Sequence, residues 1–432
     1  MKLLFVHQNM PGQYREMMAW LVAQNAAAAA RGGPVHELAF LTQRQNYEAP
    51  AGLTKILYRP HHRPGDKAYG LSKVWEEGTG AGFGAVEALK AHEAQTGFRP
   101  DLIIGHTGWG EMLFVKSLWP DVPVLGFFEY YYNLTGAAVG FDPEEPLTPH
   151  TPYLLAARNA VPDAMLHLCD RLTAPTQWQA DLFPRLFHEN MYVCHDGIRT
   201  DTLRPDPAVS VTLGRAGRVT RDDEIFTYVA RNMERMRGFH VFMRALPRIL
   251  KARPNARVII IGGNNTSYGK KSSTEGGFRA ELEAEVGAEV DWSRVHFVGQ
   301  VPYADFQQIV QISRCHIYLT QPFVLSWSLL ESMAMEAPIV ASDVAPVREA
   351  ITHGETGLLV DYFEPQALAD QVSEVLARQA ADPAAYDGMR RAARAHVVKT
   401  YDFETVCLPR HLAEMNALVP PEAGHIALPE RA

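Results

Sequence analysis

The segment from His316 to Ser332 has the residue types and order of a phosphate site. A strand-like run, His316 to Thr320, passes through Pro322-Phe323-Val324-Leu325-Ser326-Trp327-Ser328 into a helix-like segment carrying Glu331. The leading N–H groups of a helix have no intrahelical acceptor, and its aligned peptide dipoles add positive potential there. The amides of residues 326 to 329, with the Ser326 and Ser328 hydroxyls, are therefore predicted to face an anion. Glu331, about one turn in, is then expected beside the sugar that carries the phosphate. Plain N-caps and a dipole-favouring carboxylate would read the same way.

Upstream, Val229-Ala230-Arg231-Asn232-Met233-Glu234-Arg235-Met236-Arg237-Gly238 puts Arg231 at a strand end and Arg237 at a helix entry. Two guanidiniums in one loop suit a diphosphate, because each offers a planar fork of donors that matches phosphate oxygens. Negative charge developing on a leaving diphosphate demands strong electrostatic stabilisation, so both arginines are read as catalytic. The bland alternative is a pair of solvated surface charges.

These segments resemble retaining nucleotide-sugar glycosyltransferases of family 4 (glycosyl transferases group 1). That family has two Glu residues eight apart across the helix entry, and an Arg and a Lys ahead of the helix that follows the first C-domain strand. Here the second Glu is Glu331, the Arg is Arg231 and Arg237 replaces the Lys. Phe323 stands where the first Glu would be, the residue that touches the donor sugar in the family, and Ser326 replaces a glycine. The resemblance implies an α/β chain with the GT-B fold, two Rossmann-like domains facing each other across a cleft. It also implies that Glu331 binds the ribose hydroxyls and that Ser326, Trp327, Ser328 and Phe323 contact the donor. No cofactor or metal is implied; the donor is a nucleotide-diphosphate sugar and the acceptor a saccharide, lipid-linked or other glycoconjugate. Retention at the anomeric carbon rests on the resemblance alone, as does a role in bacterial surface polysaccharide or glycoconjugate assembly. A nucleotide-sugar epimerase or a phosphorylase on the same fold, and a silent nucleotide-sugar-binding relative, remain alternatives.

On the acceptor side, two strand ends stand out: Gly105-His106-Thr107-Gly108-Trp109-Gly110-Glu111 and Phe127-Phe128-Glu129-Tyr130-Tyr131-Tyr132. Open α/β sheets bind ligands at the carboxyl ends of their strands. His106 and Glu129 are thus read as catalytic, Glu129 lying close to where many family members have a His. Its roles stay open: bonding a donor-sugar hydroxyl, orienting the acceptor, or stabilising positive charge at the anomeric carbon. The turn Gln8 to Arg15 follows the first strand, where Gly12 permits close approach and, with Gln13, is expected against donor or acceptor. It is not the dinucleotide fingerprint, which needs three spaced glycines. Gly78 to Gly84 is glycine-dense and is read as a flexible loop.

A chain of 432 residues exceeds one usual core. Strand-like runs alternating with helical stretches predict parallel sheets covered by helices, with a boundary near Thr200. The expected domains are 1–200 for the acceptor and 201–400 for the nucleotide sugar. A third segment, 401–432, returns as a helix to the first domain and frays beyond Pro420. Pro247 is expected to kink the helix after Gly238. Asn264 to Gly277, rich in Ser, Gly and Lys, reads as a tolerated insertion rather than a flap. With 41 Lys and Arg against 49 Asp and Glu, the formal charge of −8 argues against a nucleic-acid surface. No apolar run reaches a membrane span or a leader, so the expected place is the cytoplasm, with peripheral membrane association open. Cys169, Cys194, Cys315 and Cys407 have no paired spacing and read as buried thiols. The oligomeric state is not legible.

Overall fold

The computed structural model describes residues 1–214 and 217–427. The chain divides into two compact units, Met1–Gly197 with Phe403–Ala432, and Ile198–Asp402.

The first unit is built on a seven-stranded sheet, order β3-β2-β1-β4-β5-β6-β7. Its strands are β1 Lys2–Val6, β2 Glu37–Thr42, β3 Leu53–Leu57, β4 Leu102–His106, β5 Val124–Phe127, β6 Arg171–Ala174 and β7 Met191–Val193. All pairings are parallel. Leu4 and Val6 face one core cluster and Leu3 and Phe5 the other, so β1 is apolar on both faces, as a sheet covered on both sides requires. β3 is an edge strand, paired only with β2.

The second unit repeats the plan with a six-stranded sheet, order β12-β11-β10-β13-β14-β15, and adds the small hairpin β8-β9. Its strands are β8 Ser210–Thr212, β9 Arg218–Thr220, β10 Ile225–Asn232, β11 Arg257–Gly263, β12 Val295–Gly299, β13 Cys315–Tyr318, β14 Ile339–Ser342 and β15 Leu358–Val360. Helix Phe239–Ala252 continues through Pro247. All four cysteines are buried thiols outside any disulfide.

The glycine run is not a loop: it lies within helix Lys73–Thr96. A Cβ on Gly80 would come 2.2 Å from the His62 carbonyl oxygen, and one on Gly84 2.0 Å from that of Arg59. Gly78 packs on Gly110 in the same way. The glycines let backbone meet backbone, a packing reason that composition alone does not distinguish from looseness. The C-terminal segment packs on the first unit through Leu408, Leu412 and Met415, which share a core with Leu3 and Phe5. Beyond Pro420 the described residues are ordered, Pro421–Ala423 forming a 3-10 turn and Asn416 bonding both the N–H and the carbonyl of buried Ile426, while the end of the segment expected to fray, 428–432, lies outside the described residues. No described helix is long and apolar enough to cross a membrane.

Candidate functional site

In the second unit the chain leaves β10, bends through a 3-10 turn at Arg235–Arg237 and enters helix Phe239–Ala252 with Gly238 at φ +65°. A Cβ there would lie 2.5 Å from Leu319, so a glycine is needed for both conformation and space. The turn is fixed by Tyr228, whose hydroxyl donates to the Arg237 carbonyl at 2.6 Å. The Arg237 side chain is thereby folded inward and is only 8% exposed.

Arg237 Nη1 donates to Thr320 Oγ1 at 3.0 Å. The guanidinium carbon lies 5.4 Å from the Phe323 ring centre and 5.5 Å from that of Tyr268. Burial raises the pKa of the adjacent Tyr318 phenol, against the lowering effect of the Arg237 charge. Among the described residues no carboxylate pairs with Arg237. The guanidinium touches a hydroxyl and two ring faces rather than a carboxylate, with the buried Glu234 on the same turn, whereas buried charges are normally paired directly.

Tyr318 links this group to helix Trp327–Ala334, because its hydroxyl accepts the Ser326 N–H at 3.1 Å. Leu329 N–H already donates to Ser326 O. Of the amides expected to face an anion, those of 326 and 329 are thus engaged within the protein. Ser326 does not cap the helix with its side chain; its Oγ lies 2.9 Å from Ser328 Oγ. Glu331 is buried one turn in, where Tyr303 donates to its Oε1 at 2.6 Å. Arg231 is different: it lies exposed near the end of β10, and no hydrogen bond or ring contact ties it to the Arg237 group among the described residues.

Two contributors had escaped notice. Glu234 is fully buried, and its Oε2 accepts the N–H groups of Ser267, Tyr268 and Gly269 at 3.1, 3.1 and 3.3 Å. Asn232 Nδ2 adds a bond to Ser267 Oγ at 2.6 Å. The segment read as an inert insertion is therefore fastened beside Arg237, and the sequence signal was an acidic residue between two arginines in the phosphate loop.

The first unit has its own polar cluster at the carboxyl ends of β1, β4 and β5. His106 is buried at the end of β4, and its Nδ1 accepts the Gly108 N–H at 3.1 Å. That places the proton on Nε2, which faces Glu129 Oε2 at 3.3 Å. Gln13 Nε2 donates to Glu129 Oε1 at 3.2 Å. Glu129 thus has each oxygen held by a donor while its side chain stays 32% exposed. Trp109 stacks on His106 at 5.4 Å and 18°. Gly12, at φ +54°, passes so close to His7 that a Cβ would meet the imidazole at 2.6 Å.

Behind this cluster lie His7 and Glu111, neither singled out from sequence. Burial, reinforced by the nearby His106, lowers the His7 pKa to about 3, against a hydrogen bond with Gln13. Glu111 is fully buried and accepts the Gln8 N–H at 2.8 Å. Burial raises its pKa to about 7, opposed by backbone N–H groups and by His106. Their position at strand carboxyl ends was the available signal.

Comparison with known proteins bears on both units. Residues 34–203 match the model of the glycosyl transferase family 4 group, and residues 215–396 that of the glycosyl transferases group 1. A D-inositol 3-phosphate glycosyltransferase of Streptomyces avermitilis is 28% identical over 302 residues, 68% of this chain and 59% of that protein. A protein of the same description from Thermobispora bispora is 26% identical over 222 residues, and the match covers 49% of it. The chain thus spans about half the length of the curated relatives it matches. A phosphatidyl-myo-inositol mannosyltransferase of Mycobacterium leprae is 26% identical over 218 residues, 49% of this chain and 50% of that protein. Among solved structures, sucrose-phosphate synthase from Thermosynechococcus elongatus aligns with TM-score 0.65 at 18% identity, covering 96% of this chain and 98% of that one. Anabaena HepE in complex with UDP-glucose aligns with TM-score 0.61 at 16% identity and the same coverage. At such identities the likeness concerns fold, and the fold is GT-B.

Proposed function

Because the chain belongs to the glycosyl transferases group 1, with a family 4 group domain ahead of that match, we propose that it transfers a sugar from a nucleotide-diphosphate donor to an acceptor hydroxyl. The observation that carries this reading is Arg237, a buried guanidinium with no carboxylate partner, beside the start of helix Trp327–Ala334. A diphosphate supplies the contacting anion that Arg237 lacks. It can accept from Arg237, from the Ser328 amide and from the Ser326 and Ser328 hydroxyls, while Arg231 meets it from the solvent side. Glu331 receives the ribose hydroxyls, its orientation set by Tyr303.

Transfer proceeds with retention, as in the family resembled. The bond between the anomeric carbon and the diphosphate oxygen breaks, the acceptor oxygen bonds to that carbon, and the acceptor proton passes to the departing diphosphate. The guanidiniums and helix-start amides stabilise charge on the leaving group. Glu129, held by His106 and Gln13, binds a hydroxyl of the acceptor. The relatives' descriptions support a hydroxyl-rich acceptor such as a phosphorylated cyclitol or a lipid-linked saccharide, in the assembly of a bacterial glycoconjugate. The cytoplasm, where nucleotide sugars are made, is the corresponding location, with peripheral membrane contact when the acceptor is lipid-linked.

A thermal-shift screen of UDP-, GDP-, ADP- and TDP-sugars tests this. One class should stabilise the protein, and Arg231→Ala and Arg237→Ala should each remove the shift. Wild-type responses in both variants would overturn the diphosphate assignment.

A further inference from the structure

We propose that the 264–277 segment is a fixed wall of the donor site, and that Tyr268 packs its ring against the sugar attached to the phosphate held by Arg237. The proposal rests on the diphosphate reading above and adds a ligand-contacting residue and a class of sugar.

Three features support a built wall rather than a tolerated insertion. The first is its fastening. A fully buried carboxylate that accepts three successive amide N–H groups, as Glu234 does from residues 267 to 269, orders that backbone strongly, because charge-assisted hydrogen bonds are the stronger kind. A segment of no consequence needs no such latch, and an ionised group is seldom buried without one.

The second is the position of Tyr268. Its ring lies 5.5 Å from the Arg237 guanidinium carbon and 4.9 Å from the Phe323 ring, tilted by 53°. Phe323 is 8% exposed but Tyr268 is 39% exposed, so the wall ends in a half-open aromatic surface beside the cation. A phosphate bound to Arg237 therefore presents its substituent to an aromatic ring.

The third is the chemistry of that surface. Phe323 offers no hydrogen bond and Tyr268 only one hydroxyl, so this side of the site cannot satisfy a row of sugar hydroxyls. Buried polar groups left unpaired weaken binding strongly, whereas C–H groups gain by contact with an aromatic face. The arrangement selects a glycosyl group that turns an apolar ring face or a deoxy position toward Tyr268 and Phe323. The exposed Lys270 and Lys271 follow directly on the latch and add positive charge near the phosphate.

Affinities of the full chain for UDP and UDP-glucose, GDP and GDP-mannose, and TDP and TDP-rhamnose, measured by calorimetry, test the proposal. For whichever pair binds, Tyr268→Ala should leave the nucleoside diphosphate within about twofold and weaken the nucleotide sugar at least tenfold, with Tyr268→Phe near wild type. The deoxy-sugar donor should gain most over its own diphosphate. Glu234→Gln should speed tryptic cleavage after Lys270 or Lys271 in the folded protein. Equal effects of Tyr268→Ala on diphosphate and sugar nucleotide, or none on either, overturn the proposal, as does unchanged cleavage in Glu234→Gln. If no diphosphate binding depends on Arg237, the site reading itself fails; if it does but Tyr268 is indifferent, only the wall fails.

Discussion

Replacing Arg237 by methionine should separate ligand binding from folding. In the ligand-free protein this side chain makes one hydrogen bond to Thr320 and two ring contacts, with Tyr268 and Phe323. A hydrogen bond contributes about 1 kcal/mol net and each cation–π contact about 0.5–1 kcal/mol, so these sum to roughly 2–3 kcal/mol. Against them stands the desolvation of a guanidinium that is 8% exposed and lacks a carboxylate, a cost of several kcal/mol by the usual reckoning for a buried ion, on the order of the gain or larger. Methionine fills much of the same space, keeps contact with both rings and brings no charge. Arg237→Met should therefore leave the melting temperature unchanged or raise it by about 2–4 °C, as a gain of about 1 kcal/mol does for a unit of this size. Its effect on the ligand is opposite: losing charge-assisted hydrogen bonds of about 1.5–3 kcal/mol weakens nucleotide-sugar binding roughly 10- to 150-fold. Scanning calorimetry with titration of the best donor checks both halves. A variant that melts several degrees lower yet binds normally would refute the reasoning, because Arg237 would then be a structural cation.

Other expectations follow from packing and titration. Gly84→Ala places a methyl 2.0 Å from the Arg59 carbonyl oxygen, so its melting temperature should fall by several degrees, about 2 kcal/mol or more, with thermal unfolding as the check. Glu336 ends helix Trp327–Ala334 at φ +58°, the one non-glycine residue at positive φ among those described. Glu336→Gly relieves that backbone strain but also removes the carboxylate 3.9 Å from Arg390, so in urea unfolding it should stay within about 1 kcal/mol of wild type. Burial raises the Glu111 pKa from 4.5 to about 7, so the folded state binds the extra proton between those values. The stability tied to that proton is complete below pH 4.5 and is lost as pH rises through 7. Glu111→Gln should gain on wild type across that window and plateau above it in a pH series of melting temperatures, and a gap that narrows with rising pH would contradict the assignment.

Much of this was legible because parallel strands buried on both faces read as apolar runs. Leu3 to Val6, Ile225 to Val229 and Ile339 to Ser342 declare themselves that way, and the segments between them carry helical spacing. The edge strand β3 did not, because Leu53-Thr54-Lys55-Ile56-Leu57 carries a lysine and a threonine. Gly78 to Gly84 misled for a physical reason: glycine serves loose loops and close backbone contact equally, and only the carbonyls of Arg59 and His62 tell which applies. Arg237, Phe323, Ser326 and Glu331 could be singled out because a strand-to-helix junction is a local feature. Glu234 and Tyr268 were not, because their meeting joins positions more than thirty residues apart that no local pattern couples.

The settings of the two arginines carry a further consequence for how a donor is taken up. Arg231 is exposed, whereas Arg237 is held by its own turn, by Thr320 and by two rings. A surface cation attracts a diphosphate through a screened field and contributes little once water is present. A fixed buried cation, whose desolvation is already met on folding, interacts strongly at contact and needs little reorganisation as charge develops. The two guanidiniums are thus unequal partners despite their closeness in sequence. Salt should weaken the contribution of Arg231 far more than that of Arg237. Raising ionic strength from about 0.01 to 0.15 M shortens the screening length from about 30 to 8 Å, so the affinity gap between wild type and Arg231→Ala should shrink while that for Arg237→Met persists. Equal salt sensitivity of the two gaps would mean that both charges meet the ligand in the same environment, against the difference in burial that the fold imposes.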